Sequence, residues 1–586
     1  MKSLLRLRPY LWKYKTTLLL GVVTVLASNL FTVIQPKLVG YAVDALKSGI
    51  DTRSIDVMLM LKYAAMIVGF SLVAGVFTFL TRQTIIVVSR HIEFDLRNDF
   101  LAHIQKLSLS YFQNTQTGDL MAHATNDISA VRNVLGPGIM YPTDTFMTFS
   151  MTLVMMFMAD WQLTLLALVP LPFVSYIVFR LGKVIHTKFE ERQEQFSEIT
   201  MRSQENLSGI RIVQAYVREK YEIHRFETLS YEYLKKNLVL AKVQSILWPL
   251  MFMLVGCSLI LTVYFGGLKV IHGQLSIGTL TAFLGYLSLL IWPMIAFGWV
   301  TNILQQGAAS MQRLVKIFDT PPEIDDSGIT DQAIREVHGT IEFRNVTFTH
   351  RGAGKPTLTN LNLRIPQGTT LAIVGYTGSG KSTLVNLIPR LYECTEGELL
   401  IDGVPIRSIP LAVLRQNIGY VPQETFLFSD SIMENIAYGV DEGTEEHVKQ
   451  AAEVSRIASD VLEFPKGFST VIGERGITLS GGQKQRTSIA RALIRNPKIL
   501  ILDDSLSAVD TYTEEEILRR LRSVMKDRTS ILISHRISTV KDADQIVVLD
   551  KGAIAEQGTH DELLAIGGIY AELYEKQLLE QELEKL

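Results

Sequence analysis

Gly375-Tyr376-Thr377-Gly378-Ser379-Gly380-Lys381-Ser382 is the stretch that decides the fold of the second half of this chain. It fits G-x-x-x-x-G-K-[ST], follows the apolar run Leu371-Ala372-Ile373-Val374 and precedes a helix-like stretch over 383–391. Strand, glycine-rich loop and helix in that order are what a phosphate-binding loop requires. The glycines let successive backbone N–H groups close around phosphate oxygens, and the start of the helix adds positive potential. Lys381 brings a cation to the β- and γ-phosphates, and Ser382 brings a hydroxyl to Mg²⁺.

Working outward, Ile499-Leu500-Ile501-Leu502-Asp503-Asp504 reads as a buried strand ending in two acids. Asp503 is placed to hold Mg²⁺ through water, and Asp504 to face the γ-phosphate and an attacking water. Between the two motifs lies Leu479-Ser480-Gly481-Gly482-Gln483, followed by a helix-like stretch over 484–493. A serine and two glycines at a helix start make a second anion-binding surface. Two phosphate surfaces about 100 residues apart in one chain are both satisfied when two such domains sandwich two nucleotides head to tail.

The first half of the sequence is of another kind. A hydrocarbon layer about 30 Å thick takes roughly 20 apolar residues of helix. Runs of that order, free of charge, occupy 16–36, 63–81, 161–179, 243–268 and 270–310, and a further one at 134–159 is interrupted by Asp144. Six spans are expected. Positive charge sets their direction: residues 180–242 carry about a dozen Lys and Arg, whereas the short connections near 160–162 and 272–276 carry almost none. The N-terminus is therefore placed inside. The two inner segments, 82–133 and 180–242, are read as spans continuing into the cytoplasm as long helices, joined by turns near 110–118 and 214–220 that are free to dock on a soluble domain. Asp144, about 22 Å below the outer surface at ~1.5 Å per residue, either binds cationic substrates or pairs with another helix, the structural role being favoured.

Ahead of the first span, Lys2, Arg6, Arg8, Lys13 and Lys15 alternate with Leu4, Leu5, Leu7, Tyr10, Leu11 and Trp12. That pattern suits a short helix lying on the membrane surface or a basic flank to the span, and not a cleaved signal peptide. At 586 residues with a formal net charge of −2 the chain offers no basic footprint for nucleic acid. Cys257 and Cys394 alone exclude a disulfide framework or a four-cysteine metal site.

Taken together, these motifs resemble the ATP-binding cassette transporters, specifically exporter half-transporters with six helices before one cassette, and the resemblance covers essentially the whole chain. It is carried residue by residue by the phosphate loop (Gly375, Tyr376, Thr377, Gly378, Ser379, Gly380, Lys381, Ser382 and Thr383), by Gln423 in Val421-Pro422-Gln423, and by Ser480, Gly481, Gly482 and Gln483 of the signature. Asp503, Ser507-Ala508-Val509-Asp510, His535 in Ser534-His535-Arg536, and Gly473-Glu474-Arg475-Gly476 complete it. The resemblance implies an all-α six-helix transmembrane domain of the type IV exporter kind followed by an α/β nucleotide-binding domain. Its boundaries are set at 1–15 (surface helix), 16–310 (transmembrane), 311–338 (linker), 339–575 (cassette) and 576–586 (C-terminal helix). It implies ATP and Mg²⁺, with Gln423 linking cassette to helices and joining Ser382 and Asp503 at the metal, and His535 contacting the γ-phosphate. It also implies a bacterial inner membrane location with the cassette cytoplasmic.

Two positions depart from the family pattern. An aromatic residue usually stacks on adenine where this chain has His350, in Phe348-Thr349-His350, and glutamate usually follows Asp503 where this chain has Asp504. A carboxylate drawn back by one methylene is a poorer general base, so the chain's own site is expected to hydrolyse slowly, as in the weakened-site subunit of heterodimeric multidrug exporters. The partner is then a second half-transporter with glutamate there. The expected cargo is small, amphipathic and drug-like. The alternatives are a homodimeric lipid flippase, a lipid or peptide exporter, and an ATP-gated channel or regulatory subunit.

Overall fold

The computed structural model describes residues 2–584 except 327–328, 474–478, 508 and 510. Glu474, Arg475, Gly476, Ala508 and Asp510 of the motifs above lie outside the described residues. The chain divides into two compact units, Met1–Ile104 with Gly118–Asp319, and Gln105–Thr117 with Thr320–Leu586.

The first unit is helical. A short helix at Arg8–Lys13 ends at Tyr14, and the long helix Lys15–Asp51 follows. Val57–Thr81 runs through a π turn, Arg82–Ile86, into Val87–Ile104. Pro137–Ala159, Trp161–Leu168, Pro170–Ser208, Glu219–Ile271 and Ile277–Phe318 complete the set of long elements. The expected boundary at 310 falls inside the last of these, whose helical pattern continues unbroken through Arg313 and Lys316. By length and composition alone, three described helices are long and apolar enough to cross a membrane, Lys15–Asp51, Val57–Ile104 and Glu219–Ile271, and the helix Ile277–Phe318 opens with an apolar stretch, Ile277–Pro293. The other two expected spans differ for local reasons. Pro137–Ala159 carries Thr143, Asp144, Thr145, Thr148, Ser150 and Thr152, and the 161–179 stretch is divided at Val169, ahead of Pro170.

The short connections expected on the far side are closed by capping residues. Asp56 accepts the Leu59 N–H, Asp160 that of Leu163 and Ser276 that of Thr279. Leu19, Val68, Leu72, Val76, Phe79 and Ile260 are all more than half exposed, a surface suited to lipid rather than water. Helices Lys15–Asp51 and Ile277–Phe318 approach closely at Gly40 and Gly278. A Cβ on Gly278 would sit 2.0 Å from the Gly40 carbonyl oxygen, so only small residues allow this crossing. Asp144 is bonded across helices: Asn29 Nδ2 donates to Asp144 Oδ1 at 2.9 Å, and Thr148 donates to the other end of the same amide.

The second unit holds two sheets. An antiparallel one has the order β2-β1-β4-β5, with β1 at Ile341–Phe348, β2 at Leu358–Ile365, β4 at Glu396–Ile401 and β5 at Val404–Pro405. The other has the order β10-β9-β3-β8-β7-β6: β3 is Thr370–Val374, β6 Ile418–Val421, β7 Ile499–Asp503, β8 Thr529–Ile533, β9 Gln545–Asp550 and β10 Ala553–Gly558. All its pairings are parallel except β9 with β10. Continuous apolar runs such as Ile499-Leu500-Ile501-Leu502 are buried along their whole length, as parallel strands covered on both faces must be. The turn segment 105–117 belongs to this unit: Leu109 packs on the core built from β1, β2 and β3, Gln113 donates to the Tyr392 hydroxyl at 2.6 Å, and Ser108 and Ser110 both donate to Glu323. The second turn, expected near 214–220, stays in the helical unit: the short helix Ile210–Ala215 leads into it, and Ile212, Tyr216 and Val217 are strongly exposed.

Candidate nucleotide site

Parallel sheets of this kind present ligands at the carboxyl ends of their strands, beside crossover points. Here β3, β8, β7 and β6 are adjacent, so the residues following them meet at one edge: the phosphate loop after β3, His535 after β8, Asp503 and Asp504 at the end of β7, and Gln423 after β6. These groups line one cleft of about 280 Å³, with Thr377, Gly378, Gly380, Lys381, Ser382 and Thr383 on one wall and Gln423, Asp503, Asp504 and His535 on the other. Thr357 and Ile533 also line it, and nothing in their own sequence context marks them.

The loop's glycines are required by geometry. Gly375 has φ +147° and a Cβ there would lie 2.2 Å from the Leu549 carbonyl oxygen; Gly378 and Gly380 have φ of +82° and +101°. Lys381 opens the helix Lys381–Leu387, is almost fully buried, and donates to the carbonyls of Gly375 and Tyr376 at 2.9 and 3.0 Å. Burial pushes its ammonium down, against the pull of Asp504 and Asp503. A buried cation held chiefly by carbonyls at an open glycine cradle is suited to an anion. Ser379 supports the same fit: its hydroxyl is buried with no hydrogen-bond partner among the described residues.

Opposite the loop, the Ser382 hydroxyl donates to Asp503 Oδ1 at 3.1 Å, and burial pushes the Asp503 carboxyl upward. Among the described residues no group of three or more His, Cys, Asp or Glu converges to hold a metal unaided. Ser382, Asp503 and Gln423 are a sparse oxygen set, which suits a cation that keeps waters and takes phosphate oxygens. Asp504 adopts φ +47°, and its Oδ2 lies 4.0 Å from His535 Nε2. Ser507 Oγ donates to the Asp504 carbonyl at 2.9 Å.

Two further groups named from the sequence lie away from the cleft, the first of them as a second phosphate surface for a paired domain requires. Ser480, Gly481, Gly482 and Gln483 open the helix Gly481–Leu493, where the Ser480 hydroxyl and the Gln483 side chain form a reciprocal capping box; none of the four lines the cleft. His350 does not line it either. Its ring packs edge-on against Phe348 and Tyr392, with centroids 4.8 and 5.3 Å away, beside a separate cavity of about 570 Å³ shared with Ser110, Gln113 and Glu323. Burial holds that imidazole below its ordinary pKa.

Comparison with known proteins agrees with this geometry. Residues 18–294 match the family model described as ABC transporter transmembrane region, and residues 358–507 the model described as ABC transporter. The chain is 38% identical over 562 residues to the probable multidrug resistance ABC transporter ATP-binding/permease protein YheI of Bacillus subtilis, covering 96% of this chain and 95% of the relative. It is 39% identical over 487 residues to an ATP-dependent lipid A-core flippase of Desulfotalea psychrophila, covering 82% and 84% respectively. Among solved structures, a bacterial Atm1-family ABC exporter with ATP bound superposes with a TM-score of 0.78 at 29% identity, covering 97% of this chain and 99% of that one. With a helical transmembrane domain and an ATP-binding cassette in one polypeptide, the chain belongs to the ABC exporters as a half-transporter.

Proposed function

We propose that this half-transporter is the weakened-site subunit of a heterodimeric exporter of amphipathic, drug-like compounds. The observation that carries the reading is Asp504. It follows Asp503, the last residue of β7, where the resemblance leads one to expect glutamate, and its carboxylate is shorter by one methylene. A general base must reach its proton at about 2.6–3.2 Å or through one water, and a misplacement of ~1 Å costs ~10²-fold, about 2.7 kcal/mol. ATP held by this chain's phosphate loop is therefore turned over slowly. Ser382, Asp503 and Gln423 would hold Mg²⁺, which would offset charge on the phosphates. The signature Ser480–Gln483 serves ATP on the partner, whose acid at the equivalent position is glutamate.

Transport follows alternating access. ATP closes the paired cassettes, and closure reaches the helices through turns such as 105–117. The nucleotide has to bind the closed state better than the open one for this to occur. The exposed Ile212, Tyr216 and Val217 of the second turn support a docking surface completed by the other subunit.

A second reading, a homodimeric lipid flippase, is favoured by the likeness to the Desulfotalea psychrophila protein. ATP hydrolysis by the purified chain alone in lipid, beside its Asp504→Glu variant, separates the two. A nearly inert native chain with a fast variant supports the heterodimer; several turnovers per second by the native chain refute it.

A further inference from the structure

The loop that carries His535 leaves β8 and enters the short helix Ile537–Val540. Its backbone is gripped by the C-terminal helix Ile569–Glu584: Gln577 Oε1 accepts the Ile537 N–H at 2.7 Å, and Gln577 Nε2 donates to the His535 carbonyl. A side-chain amide both donates and accepts, and here its two ends hold the chain on either side of Arg536. The same helix reaches the phosphate loop, with Glu572 beside the Tyr376 phenol.

This helix is firmly seated. Tyr570 is fully buried in a cluster with Ile537, Val540 and Leu563, and with Val374 of β3 and Val548 of β9. Glu556 accepts the N–H groups of Ile569 and Tyr570 at the helix start. On the other side of the loop the buried Glu514, from the helix Thr511–Met525, bonds Arg536 and Thr539. The His535 loop is thus clamped between two helices. Of the two clamps, Gln577 acts on the backbone of His535 itself.

We propose that Gln577 is a positioning residue for ATP hydrolysis: it fixes the backbone around Arg536 and thereby sets where the His535 imidazole stands relative to Asp504. The inference rests on the reading that His535 contacts the γ-phosphate. It makes the C-terminal helix part of the catalytic support, so that disturbance of that helix reaches turnover before it reaches nucleotide affinity.

The test uses the full chain in lipid, in the Asp504→Glu background and also in the native one if that already turns over. Gln577→Glu keeps length and the acceptor for Ile537 N–H but sets a carboxylate oxygen against the His535 carbonyl. Gln577→Met keeps bulk and loses both bonds. Both are expected to lower kcat about tenfold, a fraction of the ~10²-fold cost of a 1 Å misplacement. KM for ATP and the apparent Tm should stay close to those of the parent. A purely structural role predicts otherwise: the kcat of each variant would follow its Tm. That result, or unchanged kcat in both variants, overturns the proposal. His535→Ala in the same background separates the premise from the inference. If it leaves kcat intact, the role of His535 fails and the proposal with it; if it abolishes turnover while the Gln577 variants are unaffected, only the positioning role fails.

Discussion

Arg313 and Asp127 form an ion pair whose two halves are unequal, and that inequality predicts which of them the helical unit can lose. Arg313, on Ile277–Phe318, donates to both oxygens of Asp127, which ends the π turn His123–Asp127. The Asp127 side chain is 8% exposed and that of Arg313 49%. Arg313→Met strands a buried carboxylate, leaving His123 Nδ1, at 2.6 Å, as its ionic partner. Removing one partner of a buried pair costs about 3–5 kcal/mol, and the remaining histidine places this case near the lower end. Asp127→Asn instead frees a guanidinium already half in water, where a lost pair is worth about 0–1 kcal/mol. At about 2 °C per kcal/mol for a unit of this size, Arg313→Met should lower the apparent Tm by about 6 °C and Asp127→Asn by no more than about 2 °C. Scanning fluorimetry of the lipid-reconstituted variants at one scan rate reads both. Equal losses, or a larger loss for Asp127→Asn, would refute the reasoning from burial.

The same carboxylate makes a pH prediction. Burial raises the Asp127 pKa, but the bonds from Arg313, His123 and Ser310 outweigh it and hold the group below its ordinary value. The stabilisation is therefore present above the ordinary carboxylate range, near pH 4, and is lost as pH falls through the lower folded-state value. The Tm difference between wild type and Asp127→Asn should shrink toward zero as pH falls below about 4, and a constant difference would contradict it. At the nucleotide cleft, Gly375→Ala would force a Cβ to 2.2 Å from the Leu549 carbonyl and should weaken ATP binding at least tenfold, roughly 1.4 kcal/mol; equilibrium binding of a fluorescent ATP analogue checks this, and native affinity would count against it.

Much of the cleft was legible because its chemistry depends on fixed residue types at fixed spacing. Gly375 through Ser382, Asp503, Gln423 and His535 sit at the ends of four neighbouring parallel strands, and the apolar runs before them mark those strands. What escaped notice depends on tertiary contact. Gln577 and Glu514 are ordinary helix residues in sequence, and only the folded chain brings them to the His535 loop. The π turns Arg82–Ile86 and His123–Asp127 carry no compositional signal, since a shifted hydrogen-bond register needs no special side chain. The motif marks His350 by position alone, and its ring is turned toward Phe348 and Tyr392 by packing that the motif does not encode. Near 310 the composition changes while the helix Ile277–Phe318 runs on.

The turn segment 105–117 gives the cassette unit two pieces of chain, and this bears on the order in which the protein is made. Residue 117 leaves the ribosome about 200 residues before residue 320. Tyr392, whose hydroxyl pairs with Gln113, follows it by 279 residues, so at roughly 5–20 residues per second the turn waits some 14–56 s for that partner, the sheet that receives Leu109 emerging in between. The cassette cannot be completed from its C-terminal piece alone, so its last contacts close on a segment laid down before most of the helical unit existed.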